Sequence, residues 1–408
     1  MELFYFLLVI LLVTRLCGEV ALRLGQPALV GEVFGGIILG LTTRKFEAAL
    51  PILSGLVDHE AFRAISDLGV FFLMLHAGME MRPKDFTGAP TRALLVAGGG
   101  MIVPLGAGLL MGGFIFPESE YRVAQVVFLG TALAITAVPV AVKVLMELGR
   151  LDSRPGKIIV SAAIFDDMLS LVLLAILTAL LRTGEWPGMS GLLILGAKIL
   201  GFVLLVFVVG QYGMPRMGSF LKHFKLEELE FSGLLAVGLG LAVVGELLHL
   251  HFILGAFAAG LFFTRKTFDS TTYKQVQSKV SAITSGFLAP IFFAGIGMHL
   301  DVSAFVGMPF FVVGLVAVAL LTKILGAGVA AWWGGLPRGE ALEVGVGMSA
   351  RGAVELIIAD IALRAGLFTK PNPAPAVVEH LFSAIVIMAI GTTLLTPIML
   401  RAIRRRQT

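Results

Sequence analysis

Charged residues are scarce in this sequence. Of its 408 residues, 14% are Asp, Glu, Lys or Arg, and 57% are hydrophobic. A typical soluble domain has about 25% charged residues. The composition therefore excludes a soluble enzyme, a disordered chain and a nucleic-acid-binding protein, although the net charge is +4. Because a helix of about 20 apolar residues crosses a bilayer, we predict an all-α polytopic membrane protein.

Features that define several other classes of protein are missing as well. The single cysteine, Cys17, excludes a disulfide framework within one chain. The first residues lack the basic region and the cleavage site of a signal peptide, so residues 3–13 are predicted to begin the first membrane-spanning helix. The sequence contains no Walker-type glycine loop, and its histidines show no metal-binding spacing. We therefore expect no cofactor and no nucleotide hydrolysis.

Apolar runs bounded by charged residues, Gly and Pro predict 13 membrane-spanning helices. If the C-terminus is cytoplasmic, 20 Lys and Arg residues lie at the inner ends of these helices and 7 at the outer ends. The positive-inside rule therefore predicts a multi-pass protein of the cell (inner) membrane with its N-terminus outside and its C-terminus in the cytoplasm. The predicted helices are 2–22, 28–41, 64–80, 92–115, 123–147, 156–182, 190–214, 229–248, 251–264, 277–298, 304–333, 340–366 and 377–403.

The whole chain, 1–408, is predicted to form a single transmembrane domain without a cytosolic regulatory domain. Its only sizeable interior polar segment follows seven predicted helices and precedes six. This order predicts two six-helix repeats, about 2–182 and about 229–403, joined by a linker helix at about 190–214. Because the second repeat starts after an odd number of helices, it is inverted in the membrane, as in transporters whose binding site lies between discontinuous helices.

The fifth helix of each predicted repeat contains residues that interrupt a helix. In the first repeat these are Thr131, Thr136 and Pro139, and a proline within a helix removes a backbone hydrogen bond. In the second repeat the run 345–352 is rich in small residues and includes the polar Ser349. Interrupted helices at matching positions indicate a binding site. The alternative is that Gly and Pro are simply common in membrane helices.

Two adjacent carboxylates, Asp166 and Asp167, lie near the middle of the predicted helix 156–182. An acidic side chain at such a position costs about 2.5–3.5 kcal/mol on insertion scales, so the pair indicates a functional site. The alternative, a structural salt bridge, accounts for one Asp but hardly for both. Neighbouring residues on a helix point about 100° apart. We therefore expect one carboxylate to pair with a cation from another helix and the other to face a water-filled cavity.

Lys323, near the middle of its predicted helix, is the candidate counter-charge. Burial drives a lysine towards its neutral form, which makes Lys323 a candidate proton carrier. The alternative is a lysine tied permanently to a carboxylate or a carbonyl. Arg351 stays charged, and Glu355 shares its helix face, so this pair is expected to support the second helix break. Glu32 and Asp67 are shallower, and the sequence leaves open whether they pack helices, gate the pathway or contact the interface.

These residues together predict the exchange of a cation for protons. An ionised Asp167 binds a monovalent cation, protons displace it, and alternating access moves the site between the two sides of the membrane. Hard oxygen ligands favour Na+, Li+ or K+ without choosing among them. An intramembrane aspartyl protease is the alternative from the enzyme class. Its two carboxylates must face each other from different helices, so we predict that the protein is not an enzyme.

Seven motifs are spread over essentially the whole chain. They are 26–40 (QPALVGEVFGGIILG), 67–80 (DLGVFFLMLHAGME), 132–137 (ALAITA), 164–168 (IFDDM), 254–260 (LGAFAAG), 322–326 (TKILG) and 351–355 (RGAVE). In this order and on these helices, the motifs resemble those of the monovalent cation:proton antiporter-2 family. That family includes NapA-type sodium/proton antiporters and KefC-type potassium efflux proteins.

The resemblance implies a NapA/NhaA-like fold of 13 helices with crossed broken helices, a core domain and a dimerisation domain. It also implies elevator-type transport by a homodimer. By resemblance, Asp167 binds the cation and the proton, Asp166 is the partner of Lys323, and Thr131 and Thr136 are the broken-helix neighbours, with Thr131 next to the metal ion. The Asp–Asp pair is similar to that of electrogenic members, which exchange two protons for one Na+.

Two departures from the family pattern keep a second interpretation open. The second broken helix reads Arg-Gly-Ala-Val-Glu where NapA-type proteins have Arg-Gly-Glu, and this resembles plant cation/proton exchangers. The chain also has no counterpart of the cytosolic nucleotide-binding domain of KefC-type proteins. We predict an electrogenic sodium (lithium)/proton antiporter, and the alternative is a potassium/proton exchanger or a KefC-like potassium efflux protein.

Overall fold

The described part of the chain is entirely helical in its secondary structure. The computed structural model describes residues 2–45, 60–80, 90–136, 145, 150, 153–183, 189–221, 224, 228–264, 268–301 and 303–405. Nine helices among these residues are long and apolar enough to cross a membrane, and three shorter ones are also apolar. The prediction of an all-α polytopic membrane protein is therefore confirmed, whereas the count of 13 helices stays a prediction.

The chain divides into two compact units, and each contains segments from both predicted repeats. Unit 1 consists of Met1–Arg82 and Gly188–His299. The helices of unit 1 are α1 (Glu2–Arg23), α2 (Ala28–Lys45), α3 (Glu60–Glu80), α7 (Met189–Val208), α8 (Met214–Leu221), α9 (Leu229–Leu247), α10 (Phe252–Phe262), α11 (Ser270–Ile283) and α12 (Ala289–His299), with π-helical turns at Val209–Gly213 and Thr284–Leu288.

Unit 2 consists of Pro83–Pro187 and Leu300–Thr408. The helices of unit 2 are α4 (Pro90–Ile115), α5 (Arg122–Ala134), α6 (Arg154–Thr183), α13 (Ser303–Gly307), α14 (Pro309–Trp333), α15 (Arg338–Gly347), α16 (Ala353–Arg364), α17 (Ala376–Glu379) and α18 (Leu381–Arg405), with a 3-10 turn at Leu367–Thr369.

Glycines bring the helices of unit 1 into backbone contact. A Cβ on Gly36 of α2 would overlap the carbonyl of Ala294 on α12, and a Cβ on Gly297 of α12 would overlap the carbonyl of Val33 on α2. Gly78 and Gly260 form a second reciprocal pair of this kind, between α3 and α10. Small residues at such crossings allow membrane helices to pack by van der Waals contact without a hydrophobic driving force.

Glycines also set the helix spacing in unit 2. Gly99 on α4 and Gly326 on α14 face each other so closely that a Cβ on either residue would collide with the other's carbonyl oxygen. Gly108 on α4 and Gly130 on α5 make a similar contact. These two crossings place α4 against both α5 and α14, and the side-chain stem of Lys323 passes Gly100.

Several predicted helices have different bounds in the structure: the predicted helix 64–80 begins at Glu60, and the predicted helices 304–333 and 377–403 are each divided into two helices. The predicted helix 277–298 begins earlier, at Ser270, because the Asp269 side chain accepts hydrogen bonds from the first free backbone N–H groups and caps the helix. The predicted helix 340–366 consists of two helices, α15 and α16, separated at Met348–Gly352. Of the predicted helix 123–147, the structure describes α5 as far as Ala134, and Pro139 lies outside the described residues.

The two shallower acidic residues lie in unit 1. Glu32 is buried, with 5% of its surface exposed, and its Oε1 lies 3.5 Å from the guanidinium of Arg15 on α1. Asp67 is on the exposed side of α3. Neither residue belongs to the unit that contains Asp166 and Asp167, and their roles stay predictions.

Candidate cation and proton site

The two central carboxylates lie on α6, as the sequence predicts, and they occupy different environments. Asp166 is completely buried, with 0% exposure, whereas Asp167 is partly exposed. The helix begins with a side-chain cap, since the Ser153 hydroxyl accepts a hydrogen bond from the Gly156 backbone N–H. Because successive side chains diverge by about 100°, Asp166 points into the packing of unit 2 and Asp167 stays accessible.

Lys323 on α14 is the cation beside Asp166. Its Nζ donates a hydrogen bond to Asp166 Oδ1 at 3.2 Å and a second to the backbone carbonyl of Ala134. The lysine is 1% exposed. Asp166 Oδ2 has no hydrogen-bond partner among the described residues, so one oxygen of this carboxylate remains available.

The first helix break exposes a set of carbonyl oxygens at the C-terminal end of α5. The helix ends because Ile135 takes an extended conformation, with φ −74° and ψ 147°. The last four carbonyls of any helix lack an intrahelical donor. At the end of α5, Lys323 binds the Ala134 carbonyl, and Arg351 binds the carbonyls of Ala132, Leu133 and the C-cap residue Ile135.

Arg351 makes three of these contacts. Its guanidinium donates hydrogen bonds to the carbonyls of Ala132, of Leu133 at 2.6 Å and of Ile135 at 3.1 Å. The partial negative charge at a helix C-terminus favours cations, and the rigid fork of a guanidinium reaches several acceptors at once. Arg351 therefore connects the second helix break to the first.

The second break is held by polar groups that are themselves buried. The Ser349 hydroxyl donates to the Gly345 carbonyl at 2.9 Å, and the Thr393 hydroxyl on α18 donates to the Arg351 carbonyl at 2.6 Å. Glu355, in the first turn of α16, is completely buried, with its Oε2 3.6 Å from Arg351 Nη1. The predicted broken-helix neighbours Ser349, Arg351 and Glu355 thus lie together in unit 2.

Thr131 and Thr136 complete the set of predicted residues. Both side chains are buried, with 0% and 1% exposure. Neither hydroxyl has a hydrogen-bond partner in the part of the chain that the structure describes. Buried hydroxyl oxygens without a partner are rare in proteins, and hydroxyl and carboxylate oxygens are the ligands that alkali metal ions prefer. The described residues contain no group of three or more His, Cys, Asp or Glu that could hold a metal ion.

The charges of this cluster do not balance. It contains three carboxylates, Asp166, Asp167 and Glu355, and two cationic side chains, Lys323 and Arg351. Burial of an uncompensated charge is costly. With all five groups charged, the cluster has a net charge of −1, so it attracts protons and monovalent cations.

Sequence reasoning missed two parts of this arrangement. Thr393 is not among the residues predicted from the sequence, although the run Gly391–Thr393 interrupts an otherwise apolar helix with polar residues. No pattern in the sequence predicts the contact of Arg351 with the end of α5, because the donor and its acceptors are more than 200 residues apart.

Comparison with known proteins identifies the family. The sequence model of the family described as "Sodium/hydrogen exchanger, transmembrane" matches residues 8–405. The chain is 33% identical over 402 residues to the Na(+)/H(+)-K(+) antiporter GerN of Bacillus cereus, covering 98% of this chain and 96% of GerN. It is 32% identical over 402 residues to the probable Na(+)/H(+) antiporter GerT of the same organism, covering 98% of this chain and 99% of GerT.

A solved structure shares the fold. The sodium proton antiporter MjNhaP1 from Methanocaldococcus jannaschii superimposes with a TM-score of 0.73 at 18% identity, and the match covers 98% of this chain and 96% of that one. These relatives are named as antiporters rather than enzymes. The chain is therefore a multi-pass membrane protein that belongs to the sodium/hydrogen exchanger family of monovalent cation:proton antiporters.

Proposed function

We propose that this protein is an electrogenic sodium (lithium)/proton antiporter that exchanges two protons for each cation. The observation that carries the proposal is the pair of adjacent carboxylates on α6, of which Asp166 is bound to Lys323 and Asp167 stays partly exposed. One carboxylate is fixed by a protein cation, and the other is free to bind the transported ion. No resident cofactor is part of this proposal.

In this proposal Asp167 is the ligand for which the cation and the proton compete. The ionised carboxylate binds Na+, and the unpartnered hydroxyl of Thr131 supplies a second hard oxygen ligand beside it. The free Oδ2 of Asp166 is a third candidate ligand. Protonation of Asp167 removes its charge and releases the ion, so a rise in proton concentration on one side drives cation release there.

Alternating access is assigned to unit 2. All the residues of the candidate site belong to this unit, so the bound ion can move with it. We assign unit 2 as the core domain of an elevator-type transporter and unit 1 as the dimerisation domain of a homodimer. The tight glycine contacts of α2 with α12 and of α3 with α10 hold unit 1 together as a rigid body, and the contact of Gly99 with Gly326 does the same in unit 2. Rigid units suit an elevator, in which one unit moves and the other stays unchanged.

Matching glycine contacts support the two inverted repeats. On α2, Gly31 packs against α1 and Gly36 packs against α12. On α10, Gly255 packs against α9 and Gly260 packs against α3. The two helices occupy the same place in the predicted repeats, 2–182 and 229–403, and each has glycines five residues apart facing equivalent neighbours.

Transport in proteoliposomes tests the function. With an imposed pH gradient, addition of Na+ or Li+ is expected to dissipate the gradient, and a membrane potential is expected to change the rate because net charge moves. The variant Asp167→Asn should abolish the response. Asp360→Asn is the matched control, since Asp360 lies in the same unit and is paired with Arg364 at 2.8 Å. Full exchange by the Asp167 variant would refute the assignment.

Potassium/proton exchange is the second candidate. It is favoured by the position of Glu355 in the second broken helix and by the relative GerN, whose name includes K+. Replacing Na+ by K+ in the same assay separates the two, since a K+ exchanger dissipates the gradient with K+ more effectively than with Na+. A KefC-like efflux protein that conducts K+ without protons would instead pass a K+ current in the absence of any pH change.

A further inference from the structure

Glu355 is a buried acidic residue of the site with little direct stabilisation of its charge. Its side chain is 0% exposed, and neither carboxylate oxygen has a hydrogen-bond partner among the described residues. The closest cationic atom, Arg351 Nη1, lies 3.6 Å from Oε2, beyond ordinary hydrogen-bond distance. A buried carboxylate without hydrogen bonds is unfavourable when ionised, whereas the protonated acid carries no charge.

Arg351 makes an ion pair of 3.6 Å with Glu355 but donates no hydrogen bond to it among the described residues. A guanidinium and a carboxylate this close in sequence can form direct, charge-assisted hydrogen bonds. Here the three hydrogen bonds of Arg351 all go to the carbonyls of α5. The guanidinium therefore compensates the partial negative charge at the C-terminal end of α5. Its distance to the Glu355 carboxylate, 3.6 Å, is too long for a hydrogen bond.

Lys323 has the opposite environment. Its ammonium group donates to a carboxylate and to a backbone carbonyl, and both acceptors stabilise the charged form. Lys323 binds the Ala134 carbonyl, and Arg351 binds the carbonyls of Leu133 and Ile135 on either side of it. Because Glu355 lies 3.6 Å from Arg351, Glu355 and Lys323 are both close to the C-terminal end of α5. Two carboxylates, Asp166 and Glu355, are therefore near Lys323, and only Asp166 is bound to it.

We propose that Glu355 carries the second exchanged proton, while Lys323 stays charged and changes its carboxylate partner from Asp166 to Glu355. This inference rests on the proposed two-proton antiport, and it replaces Lys323 as the proton carrier that the sequence favours. The charged groups around Glu355 are Arg351 beside it and, at the same end of α5, Lys323, which binds Asp166 next to Asp167 on α6.

The steps conserve charge and protons. In the proton-loaded state Asp167 and Glu355 are neutral acids, and Asp166 is paired with Lys323. When Na+ binds, Asp167 loses its proton and the free oxygen of Asp166 turns to the ion. Lys323 then loses its partner, and Glu355 releases its proton and takes that place. Two protons leave to water on the side to which the site is open, one Na+ is taken up, and the net charge of the five groups and the ion falls from +1 to zero.

Infrared difference spectroscopy on the purified wild-type protein tests this directly. Addition of Na+ should remove the carbonyl bands of two protonated carboxyl groups, and in Glu355→Asp one of the two bands should shift in frequency. If Lys323 carries the second proton, only one carboxyl band is lost. That result would overturn the proposal, and it needs no variant that could fail to fold.

Coupling measurements in proteoliposomes give an independent test. Glu355→Gln should reduce the exchange from two protons per cation to one, so that cation flux no longer responds to the membrane potential, while Glu355→Asp and the control Asp360→Asn keep the response. A voltage response of unchanged size in Glu355→Gln overturns the assignment of Glu355 alone. Absence of Na+-driven proton movement in the wild type would instead overturn the proposed function.

Discussion

Lys323 and Asp166 form a fully buried ion pair, with Nζ 3.2 Å from Oδ1 and neither side chain more than 1% exposed. The pair joins α14 to α6, and its two residues are 157 positions apart in the sequence. The third group in contact, the Ala134 carbonyl, belongs to the broken end of α5. A single ammonium group therefore connects three helices of unit 2 at the candidate site.

Removal of either partner of this pair should destabilise the protein. In Lys323→Met the buried Asp166 loses its counter-charge, and breaking a buried ion pair in this way costs about 3–5 kcal/mol. We expect a lower thermal unfolding temperature of the purified variant, measured by fluorescence in detergent. The double variant Asp166→Asn, Lys323→Met removes both charges and should recover most of the loss. Equal destabilisation by the single and double variants would mean that the charge pair itself does not stabilise the fold.

The sequence predicted which charged residues lie together in unit 2 better than it predicted all of their hydrogen-bond partners. Asp166, Asp167 and Lys323 stand out because a charge in an apolar span is costly wherever the helix packs. The hydrogen-bond acceptors of the Arg351 guanidinium could not be predicted, because the spacing in the sequence favours Glu355 as its partner. In the structure the unbonded carbonyls of α5 take its hydrogen bonds instead.

The bounds of some helices differ from those predicted because they, too, depend on contacts that hydropathy does not show. Hydropathy locates apolar segments, but a helix continues into polar sequence when its first turn is capped. Asp269 caps α11 through the backbone N–H groups of Thr271 and Thr272, so the helix includes polar residues before 277 that an apolar run does not contain. Contacts between glycines of distant helices, such as Gly99 with Gly326, likewise depend on tertiary packing.

The multidentate contact of Arg351 predicts that lysine cannot replace it. The donors of a lysine ammonium all lie on one nitrogen atom, so they cannot spread over the carbonyls of Ala132, Leu133 and Ile135 as the guanidinium fork does. Losing one or two such charged hydrogen bonds costs about 1.5–3 kcal/mol each. Arg351→Lys should therefore reduce the maximal transport rate by about tenfold or more, measured as Na+-driven proton flux in proteoliposomes.

Arg364→Lys is the control for Arg351. Arg364 is the last residue of α16 in the same unit and makes a partly exposed ion pair with Asp360. Exposed pairs contribute about 0–1 kcal/mol, so this variant should transport at nearly the wild-type rate. Equal losses of transport rate in the two variants would show that the effect of Arg351→Lys does not depend on the hydrogen bonds of Arg351 to the end of α5.

Thr131 should affect cation affinity more than protein stability. Its buried hydroxyl has no partner among the described residues, so Thr131→Val leaves no donor or acceptor unsatisfied but removes a proposed ligand. We expect the KM for Na+ to rise about fivefold or more, which corresponds to roughly 1 kcal/mol, with little change in unfolding temperature. Thr178→Val on α6 is the control, because that hydroxyl bonds within its own helix to the Leu174 carbonyl. A KM that does not change in Thr131→Val excludes the hydroxyl as a ligand.

The glycine crossing of α3 and α10 predicts that one added methyl group disrupts unit 1. A Cβ on Gly260 would overlap the Leu75 carbonyl, whereas a Cβ on Gly240 of the neighbouring α9 meets no atom within 4 Å. Gly260→Ala should lower stability by about 1–3 kcal/mol through overpacking, while Gly240→Ala should be neutral or stabilise slightly, because alanine favours a helix over glycine by about 0.5–1 kcal/mol. Thermal unfolding of the two variants side by side measures the difference. If Gly260→Ala unfolds at the wild-type temperature, α3 and α10 can separate without cost, and unit 1 is then a poor choice for the domain that stays unchanged during transport.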